Sequence, residues 1–146
     1  RTTMTVAEAD VRHTVAEYLA GFGELTEEAD GRISLPAGSS RVFIQVGTHP
    51  NGATTVIDIF APLLLNVPAT PELFETIATD DSFVFGRLVA VLGKPGLVSV
   101  VMSHRLHGDD IARDTLMYAV GGIAVSADET DDLLQAKFGG ETFTGL

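Results

Sequence analysis

The chain has 146 residues, 45% of them hydrophobic and 20% charged, with no cysteine and a net charge of −11. That length suffices to bury about 68–70% of the unfolded surface without a metal or a crosslink, and no apolar run approaches the roughly 18 residues of a membrane span. The lack of cysteine removes disulfides, thiolate catalysis and cysteine-type metal sites and fits a cytoplasmic setting, while twenty acidic against nine basic residues argue against nucleic acid and anionic membrane as partners.

The opening RTTMTVAEAD reads as a polar lead-in to a helix rather than a secretory leader. Thr5-Val-Ala-Glu8 is a capping box, and Val6, Ala9, His13, Ala16, Leu19 and Ala20 recur at helical spacing until Gly21 and Gly23. His13 on that face reads as a packed or rim histidine. Arg32 to Leu35 reads as a short edge strand. Arg41 to Val46 and Thr54 to Phe60 read as strands joined through His49-Pro-Asn-Gly52, a run of turn formers.

Ala61-Pro-Leu-Leu-Leu-Asn-Val-Pro68 reads as a connection far more apolar than a surface loop, so something should cover its leucines. Thr70-Pro71-Glu72 supplies an N-cap hydroxyl, a proline at the first helical position and an acid in the first turn, which predicts a short helix to about Thr79. Phe83 to Leu92 and Leu97 to Met102 form a second hairpin around Gly93-Lys-Pro-Gly96. The stretch Ser103-His-Arg-Leu-His-Gly-Asp-Asp110 then reads as a strand end, a glycine break and an acidic helix cap.

From Ile111 a helical face holds through Thr115, Tyr118, Ala119, Gly122, Ile123, Ser126, Leu133, Leu134 and Phe138. That is about 27 residues, or roughly 40 Å. Small residues at 119, 122 and 126 suit close packing on a sheet, and the acids from Asp128 to Asp132 read as a solvated face.

The order α-β-β-β-α-β-β-α predicts one α+β domain over residues 1–146. Its antiparallel sheet has about five strands, its terminal helices pack on one face, and its middle helix is short. The strands alternate poorly, with Phe43 opposing Val42 and Ile44, and Val56 and Phe60 opposing Ile57 and Ile59. Such two-faced strands predict a surface covered by a second copy or a bound peptide.

Catalytic signatures are missing. No serine sits in a Gly-x-Ser-x-Gly elbow, and "VLGKPG" lacks the phosphate-loop spacing. The helical zinc signature His-Glu-x-x-His is not met either, since Arg105 follows His104. Asp58, alone in an apolar strand, reads as a solvent-facing or paired residue. The opposing reading is a metal-dependent or small-ligand-binding enzyme or sensor domain built on His104, His107, Asp109 and Asp110, with a response to metal titration as the sign of the first and a closed internal pocket as the sign of a ligand sensor.

Taken in order, Ala61-Pro62-Leu63, Thr70-Pro71-Glu72-Leu73, Phe85-Gly86-Arg87-Leu88, Ser103-His104, Leu106-His-Gly-Asp109 and Phe138-Gly-Gly140 resemble the YbjN-related proteins. The likeness is to those actinobacterial members grouped with CesT- and YopN-type secretion chaperones as peptide-binding chaperone domains. Asp80-Asp81 depart from the asparagine-rich helix end of such sequences. The resemblance implies a non-catalytic protein that binds an extended partner segment, often as a homodimer, with no cofactor.

Together these readings predict a chaperone-like module that shields an apolar segment with Phe43, Phe60, Leu63, Leu64, Leu65, Phe83 and Phe85, burying about 800 Å² per partner. The acidic flanks, seven acids in residues 1–35 and eight in 105–146, point to basic partners.

Overall fold

The computed structural model describes residues 4–143. The elements run α1 (Val6–Leu19), β1 (Thr26–Glu27), β2 (Ile33–Ala37), β3 (Ser40–Thr48), β4 (Thr55–Pro68), α2 (Pro71–Thr79), β5 (Arg87–Leu92), β6 (Leu97–His107), α3 (Arg113–Phe138) and β7 (Glu141–Thr142). All pairings are antiparallel, in the order β1-β2-β3-β4-β6-β5, with β7 on β4. The α+β class and the five expected strands are present. The two-residue β1 and β7 extend the sheet to seven, and β1 lies outside β2, which is therefore not the edge.

The capping box forms as expected: Thr5 Oγ1 accepts the Glu8 N–H at 3.1 Å, and Glu8 Oε1 accepts the Thr5 N–H at 2.9 Å. The packed face of α1 is nevertheless turned from the expected one. Glu8, Val15 and Leu19 are buried, whereas Val6, Ala9 and His13 face solvent, and His13 pairs with Glu17. The expected stripe rested on alanines, which gain little from burial and set no strong phase. Beside the fully buried Val15 and Leu19, polar contacts hold this face: Thr48 donates its hydroxyl to Glu8 at 2.7 Å, and Arg12 Nε donates to the Gly31 carbonyl at 2.9 Å.

The leucine-rich stretch after Phe60 is not a loop. β4 continues through it, pairing with β6 as far as Pro68 opposite Leu97, with register shifts between Pro62 and Leu64 and between Leu64 and Val67. The β3 ladder ends at the Phe43–Phe60 pair, so the Pro62 nitrogen has no hydrogen bond to supply there. Asn66, at φ 56°, takes up the second irregularity. Leu63, Leu64 and Val67 are fully buried, with α3 against β4 and β7 paired to Leu64 and Leu65. The leucines are thus covered by the chain itself.

α2 begins as expected, with Thr70 Oγ1 accepting the Leu73 N–H at 3.2 Å. α3 begins differently. Its N-cap is Ala112, without a side-chain bond, and the acid in its first turn is Asp114. Asp110 sits in a turn at φ 56°. The Asp109 carboxylate instead accepts the Thr55 N–H at 3.1 Å and hydroxyl at 2.5 Å and the Thr54 hydroxyl at 3.0 Å, tying the start of α3 to β4.

Ala119, Ile123 and Leu134 are buried as the periodicity predicts, joined by Leu116, Val120 and Ala127, while Thr115, Tyr118 and Leu133 are exposed. The helix is continuous through Gly121-Gly122. A Cβ on Gly122 would stand 2.8 Å from Phe85 Cδ2, so this glycine permits close approach. The acids farther along are not all a solvated face. Asp131 is buried against the Ser39 hydroxyl at 2.9 Å, and Asp128 accepts the Ser39 N–H at 2.8 Å, holding the β2–β3 turn.

Candidate functional site

Alternation within the central strands sorts the sheet into two unlike faces. Val42, Ile44, Val46, Ile57, Ile59, Ala61, Val98, Val100, Met102 and Leu88 are buried beneath the helices. The alternate residues form cross-strand rows on the other face: Phe43–Phe60–Ser103–Arg87, Gln45–Asp58–Arg105 and Pro62–Val101–Val89. An open groove of about 1050 Å³ runs over these rows, lined by Gln45, Asp58, Phe60, Val84, Val89, Val91, Val101 and Arg105 among others.

The apolar content of the groove comes mainly from valines. Val84 is 86% exposed, Val89 40% and Val91 46%. Toward β3 the face covers itself: Phe43 and Phe60 stack at 5.4 Å, Phe143 lies 5.8 Å from Phe43, and the Arg32 guanidinium sits 4.8 Å above the Phe43 ring. Phe43 is consequently buried while Phe60 still lines the groove.

The expected anchors therefore divide. Phe60 lies on the groove and Phe43 beside it. Leu63 and Leu64 have no exposed surface, so they are not available to a partner, and Leu65 is half-buried beneath the β7 pairing. Phe83 and Phe85 pack against the core. The reason is Gly86, whose φ of +84° breaks the chain just before β5. Phe85 turns under toward Gly122 of α3, and Val84 is the residue that reaches the groove. A Cβ at Gly86 would also collide with Ile123 Cδ1. Val89, Val91 and Val101 were detectable only as the strand positions opposite Leu88 and Met102, whereas Val84, which strand alternation puts on the face of Leu88, comes to the groove only through the break at Gly86.

Electrostatics give this face its second character. Arg105 stands opposite Asp58 at 3.8 Å, and Ser103 donates to the same carboxylate at 3.5 Å, so Asp58 is the paired, half-exposed residue its sequence context suggests. Arg87 Nη1 donates to the Phe83 and Gly86 carbonyls at 3.0 and 2.7 Å. Arg41 donates to the hydroxyls of Ser34 and Thr26, both at 2.8 Å.

The four residues of the alternative metal reading do not converge. β6 runs through His107, so His104 and His107, three apart on a strand, lie on opposite faces. His104 accepts the Gly86 N–H at Nδ1 and meets the Phe85 ring edge-on at 5.7 Å; burial, with the nearby Arg87 charge, pushes its pKa down. His107 meets the Thr54 hydroxyl and lies 3.9 Å from Asp109, whose hydrogen bonds to Thr55 and Thr54 hold its carboxyl below the usual range. Among the described residues no three histidine or carboxylate groups are placed to hold a metal ion.

A family model for the "T3SS (YopN, CesT) and YbjN peptide-binding chaperone 1" domains matches residues 7–145. The chain belongs to this chaperone family. The fold of this chaperone domain is similar to a solved structure, YbjN from E. coli, with a TM-score of 0.55 at 13% identity, covering 87% of this chain and 93% of that one. No curated protein matches the chaperone domain at a significant level. The order of short motifs from Ala61 to Gly140 thus marked the family correctly. No helix among the described residues is long and apolar enough to cross a membrane.

Proposed function

We propose that this chaperone domain, acting as a single module, shields an extended apolar segment of a protein partner on the open face of its sheet. The observation that carries the reading is the valine-lined groove over β4, β6 and β5, left bare while most of the opposite face of the same strands is covered by the helices. Valines 84, 89, 91 and 101 supply apolar contact, Phe60 forms one wall, and Gln45, Ser103 and Asp58 offer polar atoms to a peptide backbone. Affinity on such a surface comes from a few desolvated apolar anchors, with the polar rim fixing register. No step of the reading is catalytic.

A homodimer belongs to the same proposal. Setting the open face against its own copy would oppose like arginines, so the dimer contact lies elsewhere and leaves the groove free. The reading keeps the protein in the cytoplasm, in agreement with a chain free of cysteine.

An array of peptides about 15 residues long, roughly 50 Å when extended, tests the groove directly. The wild-type protein is expected to retain a subset rich in apolar residues, and a Val89→Asp/Val101→Asp variant with an unchanged melting curve is expected to release them. Equal retention by both proteins would overturn the proposal.

A further inference from the structure

We infer that the segment held on the open face is acidic as well as apolar: a short hydrophobic stretch flanked on both sides by Asp or Glu. The inference rests on the function just proposed and adds the chemistry of the partner. Four of the nine basic residues of this chain, Arg32, Arg41, Arg87 and Arg105, gather on one face of the sheet, in a protein of net charge −11. Among the strand positions of β2 to β6 on that face, the one carboxylate is Asp58.

The pairing is incomplete. Arg105 has Asp58 at 3.8 Å, and Arg32 has Asp30 at 2.7 Å. Arg41 and Arg87 donate to hydroxyls and backbone carbonyls, which are neutral acceptors. Four arginines against two carboxylates leave two cations unmatched among the described residues. A guanidinium with free donors beside an apolar floor is suited to carboxylates, which it binds in a bidentate fork.

Their placement also has a shape. Arg32 and Arg41 lie on the β2–β3 side of the stacked Phe43 and Phe60, and Arg87 and Arg105 lie on the β5–β6 side. Three strand spacings separate β3 from β5, or about 14 Å. Carboxylates about four residues apart in an extended chain span that distance, with the apolar residues between them over Phe60 and Val101. The chain's overall acidity suggests a basic partner, but the local field at the groove has the opposite sign, and local charge governs contact at separations below the Debye length of about 8–10 Å.

Three peptides of about 12 residues test this, identical in their apolar stretch and carrying Glu, Gln or Lys at the flanking positions, with binding read by fluorescence anisotropy. The expected order is Glu, then Gln, then Lys, with about tenfold between the extremes at low salt. High salt should narrow that ratio, and an Arg87→Glu/Arg105→Glu variant should reverse it. Because the salt series uses the wild-type protein, it stands even if the variant fails to fold. Equal binding of all three, or tightest binding of the Lys peptide, would overturn the acidic partner and leave the groove intact; binding of none would overturn the groove proposal with it.

Discussion

The two faces of this sheet are built from the same strands, often from adjacent residues, yet they do different things. On one, Val42, Ile44, Ile57, Ile59, Leu63, Val100 and Met102 are sealed under α1 and α3. On the other, Val56, Asp58, Val101, Ser103 and Arg105 stay half-exposed or exposed. Hydrophobicity is high on both, so it does not separate the covered face from the open one. What separates them is charge: the covered face carries no arginine or carboxylate at its strand positions, and the open one mixes valines with arginines that no helix could bury at reasonable cost.

The contrast can be broken from the covered side first. Leu63→Ala should cost about 2–5 kcal/mol in urea unfolding, because the leucine is fully buried and its cavity cannot collapse freely; a loss under about 1 kcal/mol would mean that this strand extension is not core. Gly122→Val should cost about 1–3 kcal/mol by forcing Phe85 from its seat under α3. A melting curve checks it, and recovery by an added Phe85→Ala change would tie the loss to that contact.

Smaller effects sharpen the comparison. Thr5→Ala removes one half of the capping box and should cost about 1 kcal/mol, again by denaturant unfolding. On the open face, Val89→Ser should change stability by no more than about 0.5 kcal/mol while weakening retention of apolar peptides, the reverse of the behaviour at Leu63. The smallest effect is at Asp109. Its hydrogen bonds lower its pKa in the folded state, so its contribution is present above about pH 4 and is lost as pH falls through the folded-state value. Asp109→Asn should therefore lower the melting temperature slightly at pH 7, with the difference narrowing as pH is lowered below about 4; a constant difference would argue against the charged carboxylate as the cause.

Much of the fold was legible because its signals are local. The capping box at Thr5, the Thr70-Pro71 start of α2 and the two hairpin turns each depend on a few adjacent residues, and each appears where expected. The misplaced parts depend on partners distant in sequence. β4 looks like a loop after Phe60 because two prolines interrupt it; Pro62 is acceptable because the β3 ladder ends before it, and Pro68 because it is the last residue of the strand. Asp109 looks like a helix cap until Thr54 and Thr55 claim it from 55 and 54 residues away.

The motif order signalled the family, and the surplus apolar residues on the strands signalled that one face of the sheet would be left open, as the groove shows. The choice of residues went to the bulkiest, Phe83, Phe85 and the leucines, which are also the residues a core recruits most readily. One glycine, Gly86, exchanged Phe85 for Val84 at the groove, and the gathering of four arginines on one face emerges only when the strand registers are known.

The most direct test is methyl NMR on valine-labelled protein during titration with an apolar peptide that it retains. Val56, Val89, Val91 and Val101 report on the open face, and Val15, Val98 and Val120 on the covered core. The account predicts shifts concentrated in the first set and nearly none in the second. Shifts centred on Val6 or Val125, on the outer surfaces of α1 and α3, would contradict it.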